Sequence, residues 1–142
     1  MTNSIRTLAV AVIRNGDRVL VERGYDSVRD QHYYRAIGGG VEFGERAVST
    51  VAREWREELG LTLVEPVLLC VLENVFTYEG RAGHEVVFVF TASVAERGAY
   101  DRSEIEGNDA EGVHHVAVWV SLDALRGGST PLYPTGLVDL LR

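Results

Sequence analysis

The sequence predicts an α/β fold with a sheet layered against helices, and three stretches carry that expectation. Residues 5–13 are almost wholly apolar after Thr7 and alternate little, the pattern of a strand covered on both faces. Residues 45–59 place Val48, Val51, Ala52, Trp55 and Leu59 on one helical arc of about 100°. From Leu61 to Ala95 the chain is rich in Val and Phe and reads as β. With 142 residues, a single domain over 1–142 has length enough to bury a substantial core.

In chain order, the strand over 5–13 is followed by Asn15-Gly16-Asp17, which carries turn chemistry, and by a second strand over 18–23, giving a hairpin. Residues 24–30 read as a loop and 32–37 as a short strand. Arg35 then stands just before Gly38-Gly39-Gly40, where it could reach a phosphate or serve as an ordinary strand arginine. The three glycines let the main chain approach a ligand closely. No Gly-Lys-Ser/Thr follows, so this is not a P-loop.

A helix is expected from near Glu45, where a carboxylate suits the positive end, to Gly60 at the C-cap. Next come one long strand over 63–78, or two broken near Glu73-Asn74, a turn over 80–83, and a strand over 86–94. His84 and Glu85 suit a rim salt bridge or an exposed pair. Residues 99–112 are acidic and glycine-containing and read as a loop. His114 and His115, without a partner pattern nearby, read as structural residues ahead of a strand over 116–120. A short helix starting near Ser121, an extended linker over 131–134 and a helix capped by Thr135 complete the chain, with Leu137, Leu140 and Leu141 facing inward.

The central helix is built against ordinary preference. Spacings of three and four place Glu54, Glu57 and Glu58 on one face. Glu54 and Glu58 form a like-charge i,i+4 pair, destabilising by roughly 0.2–0.5 kcal/mol. Glu57 and Glu58 lie in the last turn, where the dipole favours cations by roughly 0.3–1 kcal/mol. A solvated helix softened by Arg53 and Arg56 would tolerate this; a divalent cation held by oxygen ligands would explain it.

The wider spacing decides between these. From Gly39 the chain gives five residues, Glu45, seven residues, and then Arg53-Glu54-Trp55-Arg56-Glu57-Glu58-Leu59-Gly60-Leu61. This window resembles the Nudix box of the Nudix hydrolases at every defined position. The resemblance implies an α/β/α sandwich with a mixed sheet and the box as loop-helix-loop. It also implies hydrolysis of a phosphoanhydride in a nucleoside diphosphate linked to another group, with Mg2+ or Mn2+. By the same likeness Glu54, Glu57, Glu58 and the Gly39 carbonyl would hold metal, while Arg53 orients the glutamates and Glu45 pairs with it. For the general base, Glu54 is the first choice and a loop acid, Glu104 or Glu106, the second.

Composition narrows the partners. A net charge of −7 argues against a nucleic-acid polymer, though not against a small nucleotide that brings its own cation. No apolar run approaches the length of a membrane span, and the N-terminus lacks a secretory pattern. One cysteine, Cys70, in an apolar run, suits a core position and a cytoplasmic setting. The expected partner is a small-molecule nucleotide, with a homodimer one arrangement open to the chain. Tyr25, Tyr33, Tyr34, Phe76 and Tyr78 could stack on a base or simply pack. The competing reading is a nucleotide-binding regulatory domain without turnover; three intact carboxylates favour the enzyme.

Overall fold

The computed structural model describes residues 3–142. Met1 and Thr2, the start of the stretch read for a secretory signal, lie outside the described residues. The strands are β1 (Arg6–Asn15), β2 (Arg18–Asp26), β3 (Gln31–Arg35), β4 (Ile37–Gly40), β5 (Leu63–Tyr78), β6 (Arg81–Val94), β7 (Glu104–Asn108), β8 (His114–Ser121) and β9 (Leu132–Tyr133). The helices are α1 (Ala47–Leu59), α2 (Leu122–Gly127) and α3 (Leu137–Leu140), with a 3-10 turn at Arg97–Asp101. Among the described residues no helix is long and apolar enough to cross a membrane.

β1 organises the sheet because both its faces are covered. Ala9, Ala11 and Ile13 point into a core shared with Val51 and Trp55 of α1. Val10 and Val12 point into a second core with Leu125 of α2 and Leu137 of α3. The result is the expected α/β/α layering. Along its length β1 pairs parallel with β6, from Arg6↔Glu85 to Ile13↔Ala92, and antiparallel with β4 from Leu8↔Gly40 to Ala11↔Ile37. Its hairpin with β2 is confined to Arg14↔Val19 and Asn15↔Arg18, since β4 and β6 take the rest of its edges. β2 continues the sheet to β3 and β8, β8 to β7, and β3 in parallel to β9. The sheet is therefore mixed.

Several boundaries differ from expectation, each for a local reason. α1 starts at Ala47 rather than near Glu45, with Arg46 at the N-cap and no side chain capping it. Its C-terminus is as expected: Gly60 is left-handed (φ 69°), and the first backbone N–H groups beyond the helix bond to Arg56 and Trp55 carbonyls. β5 is one strand with irregularities between Val64 and Val67 and between Leu68 and Cys70, and it is not broken at Glu73-Asn74. The acidic stretch 99–112 is not a simple loop, because β7 runs through it. Ile105 and Gly107 are buried while Glu104, Glu106 and Asn108 are exposed, a period of two hidden by its polar composition. α3 is preceded by left-handed Gly136 (φ 95°), not capped by Thr135, and Leu140 faces solvent while Leu137 and Leu141 are buried. Cys70 is half-buried against the second core.

Candidate active site

Two short-range facts fix the relation of the glycine strand to the helix. At Gly38 a side chain would overlap the backbone of Ala9, so the position can only be glycine against β1. At Gly39 a β-carbon would stand 2.7 Å from each Glu54 carboxylate oxygen. The absent side chain is the space Glu54 occupies. α1 is anchored from its other side by Trp55, fully buried, whose indole N–H donates to the Ile37 carbonyl at 2.9 Å.

Arg53 braces the acidic face. Its Nε and Nη2 donate to the two Glu45 oxygens at 2.8 and 3.0 Å, a bidentate pair. Its Nη1 donates to Glu54 at 3.1 Å and to Glu57 at 3.3 Å. Thr50 adds a hydroxyl donor to Glu45 at 2.6 Å. The Arg53 and Thr50 hydrogen bonds hold the Glu45 carboxyl down to about 2 and, reciprocally, Glu45 holds the Arg53 guanidinium above its ordinary range. Glu45, though outside the helix, thus grips it two turns in.

Glu58 turns the opposite way, into the protein. Burial, reinforced by charge repulsion from Glu22 and a hydrogen bond with it, raises its carboxyl to about 7. Glu22 is itself only 4% exposed. One Glu22 oxygen lies 2.7 Å from Arg35 Nη2 and also 2.7 Å from His115 Nδ1. His115 Nε2 lies 2.9 Å from Asp109, whose carboxyl is lowered by that contact. Glu22, Glu58 and His115 each present one ligand atom within 4.8 Å of the others.

Glu58 and His115 line a cavity of about 330 Å³, together with Gly38, Gly39, Gly40, Glu54, Asp109 and Glu111, while Glu22 lies buried behind them. Leu8, Val10 and Val87 line it further along β1 and β6; Arg6, Arg35, Glu85, Tyr133 and Pro134 also contribute. Of the residues nominated from the sequence as metal, catalytic or substrate-binding groups, Gly39, Glu54, Glu58 and Arg35 reach the cavity. Arg53 and Glu45 stand behind it as braces, and Glu57 is mostly exposed, held by Arg53. Glu104 and Glu106 do not line it. They sit on the open face of β7, Glu104 paired with Arg23 at 3.2 Å and Glu106 at 3.8 Å from His114. The acids that the same segment brings to the cavity are Asp109 and Glu111, in the turn after β7.

His115, read from the sequence as structural and without a partner pattern, contacts Glu22 and Asp109 and lines the cavity, and Glu22 was not foreseen at all. A charge inside Val-Leu-Val-Glu was the available signal, strengthened by register, since Glu22 lies directly across from Arg35 on β3. Chemically the set is hard oxygen donors with one imidazole, a composition suited to Mg2+ or Mn2+.

Comparison with known proteins agrees with this geometry. The family model described as the NUDIX domain matches residues 5–136. Among solved structures, the chain is similar to a MutT NUDIX hydrolase from Burkholderia pseudomallei, with 26% identity, 97% of each chain covered and a TM-score of 0.69. It is similar to a MutT protein from Bacillus halodurans, with 25% identity, 96% of this chain and 79% of that one covered, and a TM-score of 0.58. A MutT protein from Methanosarcina mazei Go1 shares the fold at 24% identity, with 99% and 93% covered and a TM-score of 0.67.

Proposed function

This chain belongs to the NUDIX family and is a Nudix hydrolase, and from that premise we propose that it is a metal-dependent pyrophosphohydrolase. It would cleave a phosphoanhydride in a nucleoside diphosphate linked to a further group, in a triphosphate, nucleotide sugar or dinucleotide. The observation that carries this reading is the convergence of Glu54 and Glu58 with the glycine strand at one end of the cavity. Glu54, Glu57, Glu58 and the Gly39 carbonyl would hold Mg2+ or Mn2+, with Glu22 and His115 beside Glu58 as further donors.

A divalent cation bound there supplies neutralisation of the diphosphate charge and acidification of the attacking water. The chain's own residues do the rest. Glu45 and Arg53 fix the rotamers of Glu54 and Glu57 through four hydrogen bonds. Glu54, the nearest carboxylate to the glycine backbone, takes the proton from the attacking water onto a carboxylate oxygen. Arg35, half exposed beside Glu22, offers its remaining donors to a phosphate oxygen.

The test is release of a nucleoside monophosphate from a nucleotide panel, with and without Mg2+ or Mn2+. Metal-dependent turnover of at least one member is expected. Glu57→Gln and Glu58→Gln should each lose most of that rate, on the order of 10²-fold or more, while remaining folded by circular dichroism. Full rates in both variants, or in excess chelator, would overturn the metal assignment. Binding without turnover across the panel would instead favour a regulatory domain.

A further inference from the structure

Glu85 has no role in the account above, yet its setting is unusual for a strand carboxylate. Its side chain is 19% exposed and stands on the cavity wall. Burial raises its carboxyl above the ordinary range. Its nearest cation, Arg6, is 3.7 Å away and mostly in solvent, too distant for a hydrogen bond and too exposed to offset much of that burial. Among the described residues no donor hydrogen-bonds to it. Directly across on β5, on the same sheet face, lies Asn74, whose amide nitrogen is buried and also has no partner. The Asn74 amide is thus a buried group without a partner, which folded chains rarely tolerate without a use, and Glu85 beside it keeps both oxygens open to the cavity.

Register places this pair away from the glutamates. Glu85 is level with Arg6, three residues before Ala9, and Ala9 is level with Gly39. That separation is about 10 Å along the strands and about 10 Å across two strand spacings. The intervening surface is apolar, formed by Leu8 and Val87. A substrate anchored by its phosphates beside Glu54 would lie across this surface and end at Glu85.

We propose that Glu85 is a specificity-determining residue that accepts hydrogen bonds from two adjacent donors on the non-phosphate part of the substrate. The proposal rests on the pyrophosphohydrolase reading for where the phosphates bind. A half-buried carboxylate with two free oxygens matches a pair of parallel donors. Two sources present such a pair: the N1–H and 2-amino edge of a guanine-type base, and the vicinal hydroxyls of a ribose.

The experiment compares GTP, ITP and dGTP as substrates of the wild type, Glu85→Gln and Glu85→Asp, by kcat/KM under one metal condition. ITP lacks the 2-amino donor and dGTP lacks one hydroxyl of the diol. The wild type should prefer GTP over one of the two by about tenfold or more, as expected for a lost hydrogen bond to a charged group. Preference over ITP identifies the base and preference over dGTP the diol. Glu85→Gln should bring that ratio close to one, and Glu85→Asp, which keeps the charge but withdraws it, should do the same. Equal treatment of all three by the wild type, or a ratio that survives both substitutions, would overturn the proposal. If none is hydrolysed, the reaction reading is what suffers. Calorimetry with α,β-methylene analogues of the three nucleotides then reads Glu85 alone. About tenfold weaker binding of the preferred analogue by Glu85→Gln supports the proposal, while unchanged binding, or none by the wild type, overturns it.

Discussion

A β-carbon at position 39 would stand 2.7 Å from both Glu54 oxygens, so Gly39→Ala must displace that carboxylate. Displacement of a reacting group by about 1 Å costs on the order of 10²-fold in rate. Gly39→Ala is therefore expected to lower kcat by about that factor with little change in melting temperature, measured on the same purified protein. Glu45 offers a second test at this scale. Its carboxyl is held at about 2, below its ordinary 4.5, so its ion pair with Arg53 contributes stability above pH 4.5 that is lost as pH falls through about 2. Between pH 5 and 2, Glu45→Gln should therefore show a shallower loss of stability than the wild type in denaturant titrations. A wild-type slope equal to that of the variant would refute this account of the pair.

At the scale of elements, α1 was legible in the sequence because apolar spacing, acidic spacing and the glycine after Leu59 all pointed to one helix. Its first residue, Ala47, lies two positions past Glu45, which grips Arg53 from just outside the helix. β7 was not legible. Its inward residues are only Ile105 and Gly107, and an edge strand with so small an apolar face reads as a loop. Gly107 is what docks it, since a side chain there would overlap the Glu58 carbonyl. Gly107→Ala should push β7 off the end of α1 and destabilise the fold by about 1–3 kcal/mol, seen as a lower denaturant midpoint. An unchanged midpoint would mean that β7 can shift freely. The Glu22–His115–Asp109 contacts were illegible for a different reason: they join β2, β8 and the turn after β7, and no local spacing records that convergence.

For the molecule as a whole, β1 determines when a working enzyme can exist. The apolar part of the cavity wall lies where β1 meets β6 in parallel, and those strands come from positions about 80 residues apart, so their pairing carries a large loop-closure cost. Such non-local pairing places folding in the millisecond-to-second range rather than the microsecond range of helical bundles. Stopped-flow refolding followed by tryptophan fluorescence should show this slow rise as buried Trp55 acquires its surroundings. Completion within microseconds would contradict it. The box itself, by contrast, is complete by residue 61. During synthesis the acidic helix therefore leaves the ribosome well before β6 can supply the surface on which a substrate would lie. For that interval the nascent chain carries its signature without a pocket, and competence waits on a strand outside the signature.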